Sequence, residues 1–463
     1  MSISGAIKNI FEPGTQIPDD RKRFTGRALF ALIFPIVIEQ ALSLLVGIAD
    51  TFMVSYAGEA AVSGIALDTQ IDNVFIVIFA AMAAGGSVVI SQYIGAKDQK
   101  KGSLAAGQLL MSVSVIGIII SGLLFIFADN IFSLLFGSVD TEVHAAGVLY
   151  LRIAACSFVF LGIYNSCAGI LRSMGDTRTV MYVAMLMNGL NIAGNAIGIF
   201  VLHAGVAGVA VPSLASRVIA AAVMLVIATR RGRYIRVRFR DVFRANLQMV
   251  RRIFRIALPN SIENGLFMLA KLFISTVVAT FGTIQIAAYG VAQSFWSMSA
   301  VFCLAMTSAF ITVIGQYMGR GDTEGAQYYM SKLLRIGIIG AILWNTVFFG
   351  ISVLVIGFYS LSPEAAHLAC ELVLIHNIFN GFLYSVSSGL SSGLRAAGDV
   401  RYSLVSTILS SVVVRVFMSV LLGKWLGFGV VGIAFGMVSE WLVKGILIFA
   451  RYKSGKWKEF KVI

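Results

Sequence analysis

The sequence predicts an all-α integral membrane protein with twelve transmembrane helices arranged as two six-helix repeats. Hydrophobic residues make up 58% of the 463 residues and charged residues only 13%. The mean hydropathy of +0.88 is too high for a soluble chain of this length. Long apolar runs recur without the alternation typical of barrel strands. In addition, blocks of sequence from the first half return in the second half.

Twelve candidate spans account for most of the chain. A helix needs about 20 apolar residues to cross the hydrocarbon core of a bilayer. Stretches that meet this need are centred near residues 42, 80, 115, 156, 190, 216, 267, 300, 345, 376, 412 and 440. The first twenty residues lack the apolar core and cleavage site of a secretory signal, so the first span is expected to direct insertion.

The net charge of +14 is distributed unevenly over the predicted loops. Lys and Arg gather in alternate loops and near both ends of the chain, whereas the other loops carry almost none apart from Lys424. Positively charged loops normally remain in the cytoplasm. The pattern therefore predicts cytoplasmic termini, and it accounts for the basic charge without a nucleic-acid partner, which we do not expect.

Internal repeats define two halves of the chain. Three blocks return at offsets of 223 or 224 residues: "SQYIGAKD" (91–98) as "GQYMGRGD" (315–322), "LRSMGDTR" (171–178) as "LRAAGDVR" (394–401), and "GVAGVA" (205–210) as "GVVGIA" (429–434). Each half then contains six spans, so both halves enter the membrane in the same orientation. Such parallel repeats are typical of transporters.

The repeats set the expected domain boundaries. Residues 27–228 are predicted to form the first six-helix lobe and residues 254–451 the second. A basic cytoplasmic linker at 229–253 joins them, and residues 1–26 and 452–463 are the expected cytoplasmic ends. The arginine-rich linker is compatible with a surface helix on anionic lipid and with a solvated loop. The sequence leaves both interpretations open.

The first span and the repeated motifs resemble the MATE family of exporters (multidrug and toxic compound extrusion). Pro35 stands fifteen positions before Asp50 in "GIADTFMVSYAG". "SQYIGAKD", "GILRSMGDTR" and "LNIAGNAIGIFVLHAGVAGVAVPS" follow in an order and spacing similar to the family's, and the resemblance extends from residue 27 to about residue 450. It implies a V-shaped fold, alternating access, and export of small amphipathic, mostly cationic compounds driven by inward H⁺ or Na⁺.

The first repeat carries polar residues that the second repeat lacks. Asp50 lies in an otherwise apolar span and corresponds to Ile274. Asn188, Asn191 and Asn195 follow an i, i+3, i+7 spacing and therefore share one face of the fifth span. Their counterparts in the second repeat are Ser411, Val414 and Met418. Residues that differ between two copies of one architecture are candidates for chemistry.

The resemblance implies that a MATE-type cation site forms from a first-span Asp, a polar pair on the fifth span and a hydroxyl on the sixth. Those positions here are Asp50, Asn191, Asn195 and Ser213. Asp50, Asn191 and Asn195 would be the metal ligands if the coupling ion is Na⁺, because their oxygens suit a hard cation. A buried Asp can also carry a proton, and H⁺ is the favoured coupling ion. Alternatively, these residues only join helices.

Four more residues are candidates for lining the cleft or binding substrate, namely Glu39, Glu263, Asn188 and Tyr384. Glu263 lies about one turn before the acidic position of NorM-type family members, and Tyr384 stands where those members carry an acidic residue on the tenth span. These departures favour a mechanism in the first lobe, closer to the DinF-type pattern. Glu39 and Glu263 occupy equivalent positions in the two repeats, so a symmetric structural role is also open.

Lys271, Arg415 and Glu440 are further charges in the spans of the second repeat. Arg415 is expected to pair with Glu440 or to extend toward the membrane surface. None of the three is expected to bind substrate.

A secondary-active exporter is the function that the sequence favours, because no G-x-x-x-x-G-K-[ST] loop is present to use ATP. A flippase for lipid-linked precursors from the same superfamily is the nearest alternative. A membrane-embedded enzyme is the alternative from another class, but the four histidines form no cluster and no second transmembrane Asp is expected to share the proton of Asp50. We expect no cofactor, and a functional monomer that spans the plasma (inner) membrane and contacts lipid.

Overall fold

The computed structural model describes residues 13, 17–137, 139–357, 359 and 361–463. Most of the predicted N-terminal segment therefore lies outside the described residues. Over the described ranges, all regular elements are helical, and twelve helices are long and apolar enough to cross a membrane, as predicted. Their bounds are α1 (Gly26–Val54), α2 (Glu59–Gly95), α3 (Gln99–Ile126), α4 (Thr141–Ser173), α5 (Thr177–Val201), α6 (Ala207–Thr229), α7 (Leu247–Val278), α8 (Thr283–Gly319), α9 (Thr323–Ile356), α10 (Pro363–Ala397), α11 (Val400–Trp425) and α12 (Gly429–Lys453).

The chain divides into two compact units that follow the repeats. The first is Phe34–Ser261, and the second combines the residues up to Ile33 with Ile262–Ile463. The division differs from the predicted lobes 27–228 and 254–451 because the first turns of α1 and of α7 pack in the unit of the other repeat.

Side-chain hydrogen bonds anchor the chain just before α1 and at Asn260 of α7. Tyr317 Oη on α8 donates to the backbone carbonyl of Arg21, just before α1, at 2.6 Å. Asn260 Nδ2 on α7 donates to the backbone carbonyl of Ala81 on α2 at 2.9 Å. Each bond stays within one compact unit, the Tyr317 bond within the second unit and the Asn260 bond within the first, and each satisfies a buried side chain.

The repeated motifs encode the tight loops between helices. Asp98, Asp176 and Asp322 each cap the helix that follows, because a side-chain oxygen accepts a hydrogen bond from the backbone N–H three residues ahead, at 2.9, 3.2 and 2.9 Å. Just before one cap, Gly321 has a left-handed φ of 75°, and Lys97 adopts the same conformation at the equivalent position of the first repeat, with φ of 59°. The motif therefore conserves a turn and a cap between the repeats.

The basic linker is docked on the first unit. Residues 230–246, between α6 and α7, contain one short helix, Phe239–Phe243, and α7 begins at Leu247, inside the predicted linker. Arg233 Nη1 donates to the cap residue Asp176 at 2.6 Å. Burial raises the pKa of the Asp176 carboxyl, but hydrogen bonds from Arg233 and Thr179 outweigh it and hold the pKa below its usual value. The stability from this contact is therefore present at neutral pH and is lost only as pH falls through that lowered pKa.

Several spans contain π-helical turns beside polar residues. Ile197–Val201 ends α5 and directly follows the turn that carries Asn195. In α11, Arg415 follows the π-helical stretch Ile408–Val414 and precedes a second one, Val420–Trp425. Turns of this kind occur frequently at functional sites. These turns lie beside Asn195 in the first unit and beside Arg415 in the second.

Candidate functional site

The predicted polar residues of the first unit meet around Asp50 on α1. Asn195 Nδ2 on α5 donates to Asp50 Oδ1 at 2.8 Å. When the Asn191 amide nitrogen faces the carboxylate, it lies 2.9 and 3.1 Å from the two Asp50 oxygens, and its Oδ1 accepts a hydrogen bond from Ser213 Oγ on α6 at 2.9 Å. We adopt this orientation because it satisfies both atoms of the amide. Three helices thus bring together Asp50, Asn191, Asn195 and Ser213.

The spacing on α5 explains this arrangement. Asn191 and Asn195 are four residues apart, so both reach α1 from the same helix face. Asn188 lies about one turn earlier, is half-buried, and makes no hydrogen bond to Asp50 in the described part of the chain. Asn195 Oδ1 is buried without a donor there. A buried acceptor beside a carboxylate is a group that a cation would satisfy.

Two further carboxylates lie in the first unit. Asp68 and Asp72 on α2 are separated by four residues and share a face, and their exposed fractions are 0% and 6%. Both oxygens of Asp68 and one of Asp72 are buried without a hydrogen-bond partner among the described residues. The sequence pattern did not predict these two carboxylates in a membrane-spanning helix. No described hydrogen bond joins either of them to Asp50, so the expectation that no second Asp shares the proton of Asp50 stays a prediction. Because an ionised, unpartnered carboxylate is costly in a membrane span, this pair requires a proton or a cation.

Arg217 on α6 supplies the positive charge of this region. Its Nη1 donates to Ser157 Oγ on α4, and its guanidinium interacts electrostatically with Asp50, Asp68 and Asp72. With all three carboxylates ionised, one guanidinium leaves two negative charges uncompensated. The region therefore favours the uptake of protons or of a cation.

Labelling with dicyclohexylcarbodiimide tests whether Asp68 and Asp72 on α2 are protonated. This reagent modifies protonated carboxyl groups in apolar surroundings, so we expect it to label Asp68 or Asp72 in the purified protein at neutral pH. Peptide mass spectrometry locates the label, and the exposed carboxylate of Asp140 serves as the unlabelled control. Slower labelling in the presence of Na⁺ would show that a cation takes the proton's place. Absence of label at both aspartates between pH 5 and pH 8 would show that neither carboxyl group carries a proton.

Glu39 and Glu263 form equivalent ion pairs, one in each unit. Glu39 is paired with Arg172, at the end of α4. Arg395 Nη1 on α10 lies 3.0 Å from both oxygens of Glu263, and Lys444 Nζ on α12 lies 3.1 Å from one of them. Both arginines belong to the repeated "LR" motif. The repeated pairing supports the structural role that the sequence left open for the two glutamates.

Tyr384, the remaining candidate, lies in an aromatic cluster of the second unit. Its ring centroid is 6.2 Å from that of Trp296 and 5.4 Å from that of Trp441. Its described contacts therefore join α10 to α8 and α12 through ring packing.

The donor set around Asp50 suits a hard monovalent cation or a proton. It comprises one carboxylate with amide and hydroxyl oxygens, which are ligands for alkali and alkaline-earth ions and not for soft transition metals. The described residues contain no group of three or more His, Cys, Asp or Glu that could hold a metal ion. The arrangement thus offers oxygen ligands, one of them a carboxylate, to a small cation.

Twelve apolar helices in two repeats, with ionisable residues inside the spans, define a multi-pass membrane transporter. The family model described as MatE matches residues 35–197 and, again, residues 259–421. The two matches start 224 residues apart, which is the register of the internal repeat. The chain therefore belongs to the MATE family, whose members are transporters and not enzymes.

Similar proteins cover nearly the whole chain. The uncharacterized transporter YisQ of Bacillus subtilis is 29% identical, over 93% of this chain and 94% of its own length. The probable multidrug resistance protein NorM of Thermotoga maritima is 25% identical, over 97% and 96%. A solved structure of a multidrug resistance MATE family transporter in the outward-facing conformation has a TM-score of 0.85, with 22% identity over 96% of this chain and 97% of that one. These likenesses confirm the predicted fold class.

Proposed function

We propose that the chain is a secondary-active multidrug efflux antiporter that exports organic cations in exchange for H⁺, with Na⁺ as the alternative coupling ion. The observation that carries this proposal is the acidic region of the first unit, where Asp50 accepts hydrogen bonds from two amides near the unpartnered pair Asp68 and Asp72. The name of the Thermotoga relative supports drug export, and family membership supports transport of small organic compounds.

The coupling step is protonation of Asp50. The ionised carboxylate accepts charge-assisted hydrogen bonds from Asn191 and Asn195, and these bonds tie α1 to α5. A bound proton removes the negative charge and occupies one acceptor site, so the same bonds weaken. The protonated and ionised forms then favour different packing of α1. A transporter couples two fluxes through such a difference between states.

Competition for negative charge links the ion to the substrate. With Asp50, Asp68 and Asp72 ionised, the first unit attracts an organic cation; each proton taken up reduces this attraction. Arg217 keeps part of the charge compensated in the drug-free state. Proton uptake from outside the cell would therefore favour release of a cationic drug there.

Location and assembly are part of the proposal. The basic loops support a plasma-membrane protein with both termini in the cytoplasm. Its substrates would be small amphipathic compounds, mostly cationic, and it would work as a monomer surrounded by lipid.

Transport of ethidium into proteoliposomes tests the proposal with the wild-type chain. We expect an imposed pH gradient, acidic on the side that receives the drug, to drive ethidium accumulation. A proton-collapsing ionophore should abolish that accumulation. An imposed Na⁺ gradient is applied separately at equal internal and external pH. Activity with Na⁺ alone would show that H⁺ is the wrong coupling ion, and failure of both gradients would overturn the antiport proposal.

A further inference from the structure

A buried ion pair in the second unit is surrounded by additional donor groups. Arg415 on α11 is only 2% exposed, and its Nη1 donates to Glu440 on α12 at 3.0 Å. The other oxygen of Glu440 accepts a hydrogen bond from Ser411 Oγ at 2.6 Å. The single carboxylate of this cluster is thus already engaged on both oxygens.

Lys271 on α7 adds a second positive charge beside Arg415. Its side chain is half-buried, and its ammonium has no hydrogen-bond or ion-pair partner in the part of the chain that the structure describes. Arg415 and Lys271 are close enough to repel each other electrostatically. Two cations and one carboxylate leave one positive charge uncompensated within membrane-spanning helices, where such a charge is costly.

Unsatisfied buried polar groups surround the same guanidinium. Arg415 Nε, Tyr289 Oη on α8 and His376 Nδ1 on α10 are all buried and lack a hydrogen-bond partner among the described residues. Both the tyrosine and the histidine lie within electrostatic range of Arg415. Nε of an arginine can only donate, and the other two groups can donate as well. Because buried polar groups are normally paired, a single hydrogen-bond acceptor placed among these three groups could satisfy all of them.

Aromatic rings flank this cluster. The Phe267 ring centroid lies 5.2 Å from the guanidinium carbon of Arg415, and the Trp441 ring centroid lies 6.5 Å from that of His376. Such rings offer apolar contact to the aromatic body of a ligand whose acidic group meets the donors. This cluster has a surplus of positive charge, whereas Asp50, Asp68 and Asp72 give the first unit a surplus of negative charge.

We propose that Lys271, Arg415, Tyr289 and His376, together termed the Arg415 cluster, bind the carboxylate or sulfonate of an amphipathic organic compound. The chain would then accept zwitterionic and anionic compounds in addition to the cations of the proposed function. An acidic group would supply the acceptor that the buried donors lack and would compensate the surplus positive charge. Lys271 and Arg415 thereby become ligand-binding residues, contrary to the expectation from sequence.

A matched pair of dyes tests this proposal by equilibrium binding. Rhodamine 110 carries a free carboxyl group, and rhodamine 123 is its methyl ester, so the ester lacks that acidic group. Fluorescence polarisation gives the dissociation constants of both dyes for the full-length protein in phosphatidylcholine nanodiscs, which add no net negative lipid charge. Because no gradient is imposed, binding is measured independently of coupling at Asp50. A negative result in this binding assay would therefore contradict the Arg415 cluster as a binding site, whereas the antiport proposal is contradicted only by the absence of gradient-driven transport.

The Lys271→Gln variant is expected to raise the dissociation constant of rhodamine 110 about tenfold relative to that of rhodamine 123, because one charged donor is lost. Lys271→Arg keeps the charge and should restore the wild-type ratio. Lys424→Gln removes an exposed lysine of the same unit as the matched control. Arg415→Lys retains a cation for Glu440 but lacks the Nε donor, and the same direction of change is expected. The proposal is overturned if Lys271→Gln changes both dissociation constants equally or neither.

Discussion

Asp50→Asn is expected to lower the initial rate of gradient-driven ethidium transport by about 100-fold or more, which corresponds to about 3 kcal/mol. Asparagine keeps the size of the side chain and its capacity for hydrogen bonds with Asn191 and Asn195, so the fold should persist. It carries no charge and takes up no proton, so the coupling step is lost. The measurement is the ethidium accumulation assay in proteoliposomes, with protein incorporation matched between samples.

Asp140→Asn is the matched control for this variant. Asp140 is exposed at the start of α4, and its side chain makes no capping hydrogen bond. Its replacement removes one carboxylate from the same unit and should leave the rate unchanged. Ethidium affinity of the wild type should also fall at low pH, and Asp50→Asn should weaken that dependence. Transport by Asp50→Asn at the wild-type rate would show that Asp50 is only a structural contact between helices.

The Asp50 region could be predicted because its signal is local in sequence. Helical spacing places Asn191 and Asn195 on one face of α5, and the comparison of the two repeats separates Asp50 from its apolar counterpart Ile274. Ser213 came from the family resemblance alone. The structure brings all of these residues into hydrogen-bond contact. Their role in ion coupling stays a prediction.

Asp68 and Asp72 were missed because the length of α2 is not determined by hydropathy. The helix runs through Glu59–Gly95, 37 residues, whereas a bilayer core needs about 20. A prediction centred near residue 80 therefore placed both aspartates at the edge of the span. The four-residue spacing between the two carboxyl groups was the signal available, since it puts both on one face of a helix. Helices longer than the bilayer core are accommodated by tilt or extension beyond it.

The partners of buried charges could be predicted only in part. Equivalence of Glu39 and Glu263 follows from the repeat register, and the arginine of the "LR" motif recurs in both halves. Nothing in the spacing indicates that Lys444 joins Glu263, because α12 approaches α7 only through tertiary packing. Long-range pairs of this kind depend on how helices cross and not on helical periodicity.

The two repeats share one architecture but carry charges of opposite sign at different positions within their spans. In the repeat register, Asp50 of the first unit corresponds to the apolar Ile274 of the second. Arg415 of the second unit corresponds to the apolar Ile192 of the first. Each unit thus has an ionisable group where the other has a hydrophobic side chain. A scaffold residue would be expected in both copies. We propose that this divergence reflects two different binding tasks, a cation or proton in the first unit and an acidic group in the second.

Glu263→Gln is expected to destabilise the protein by about 3–5 kcal/mol, because it leaves two largely buried cations without a carboxylate. Arg395 and Lys444 have side-chain exposures of only 13% and 14%. Glu39→Gln is the matched comparison in the other repeat, where a single cation, Arg172, has a side-chain exposure of 20%. The thermal midpoint of the purified protein in detergent should therefore fall further for Glu263→Gln than for Glu39→Gln.

A second substitution separates a structural role of Glu263 from a role in transport. Adding Lys444→Met to Glu263→Gln removes one of the two cations that have lost their carboxylate partner. The double variant should therefore regain part of the lost stability, which a double-mutant cycle would report as a favourable coupling between the two substitutions. Partial recovery of the thermal midpoint, with transport recovering in parallel, is the result expected of an ion pair that holds α7, α10 and α12 together. A Glu263→Gln protein with the wild-type midpoint but no gradient-driven transport would instead place this carboxylate in the transport cycle, because stability and transport would then have separated.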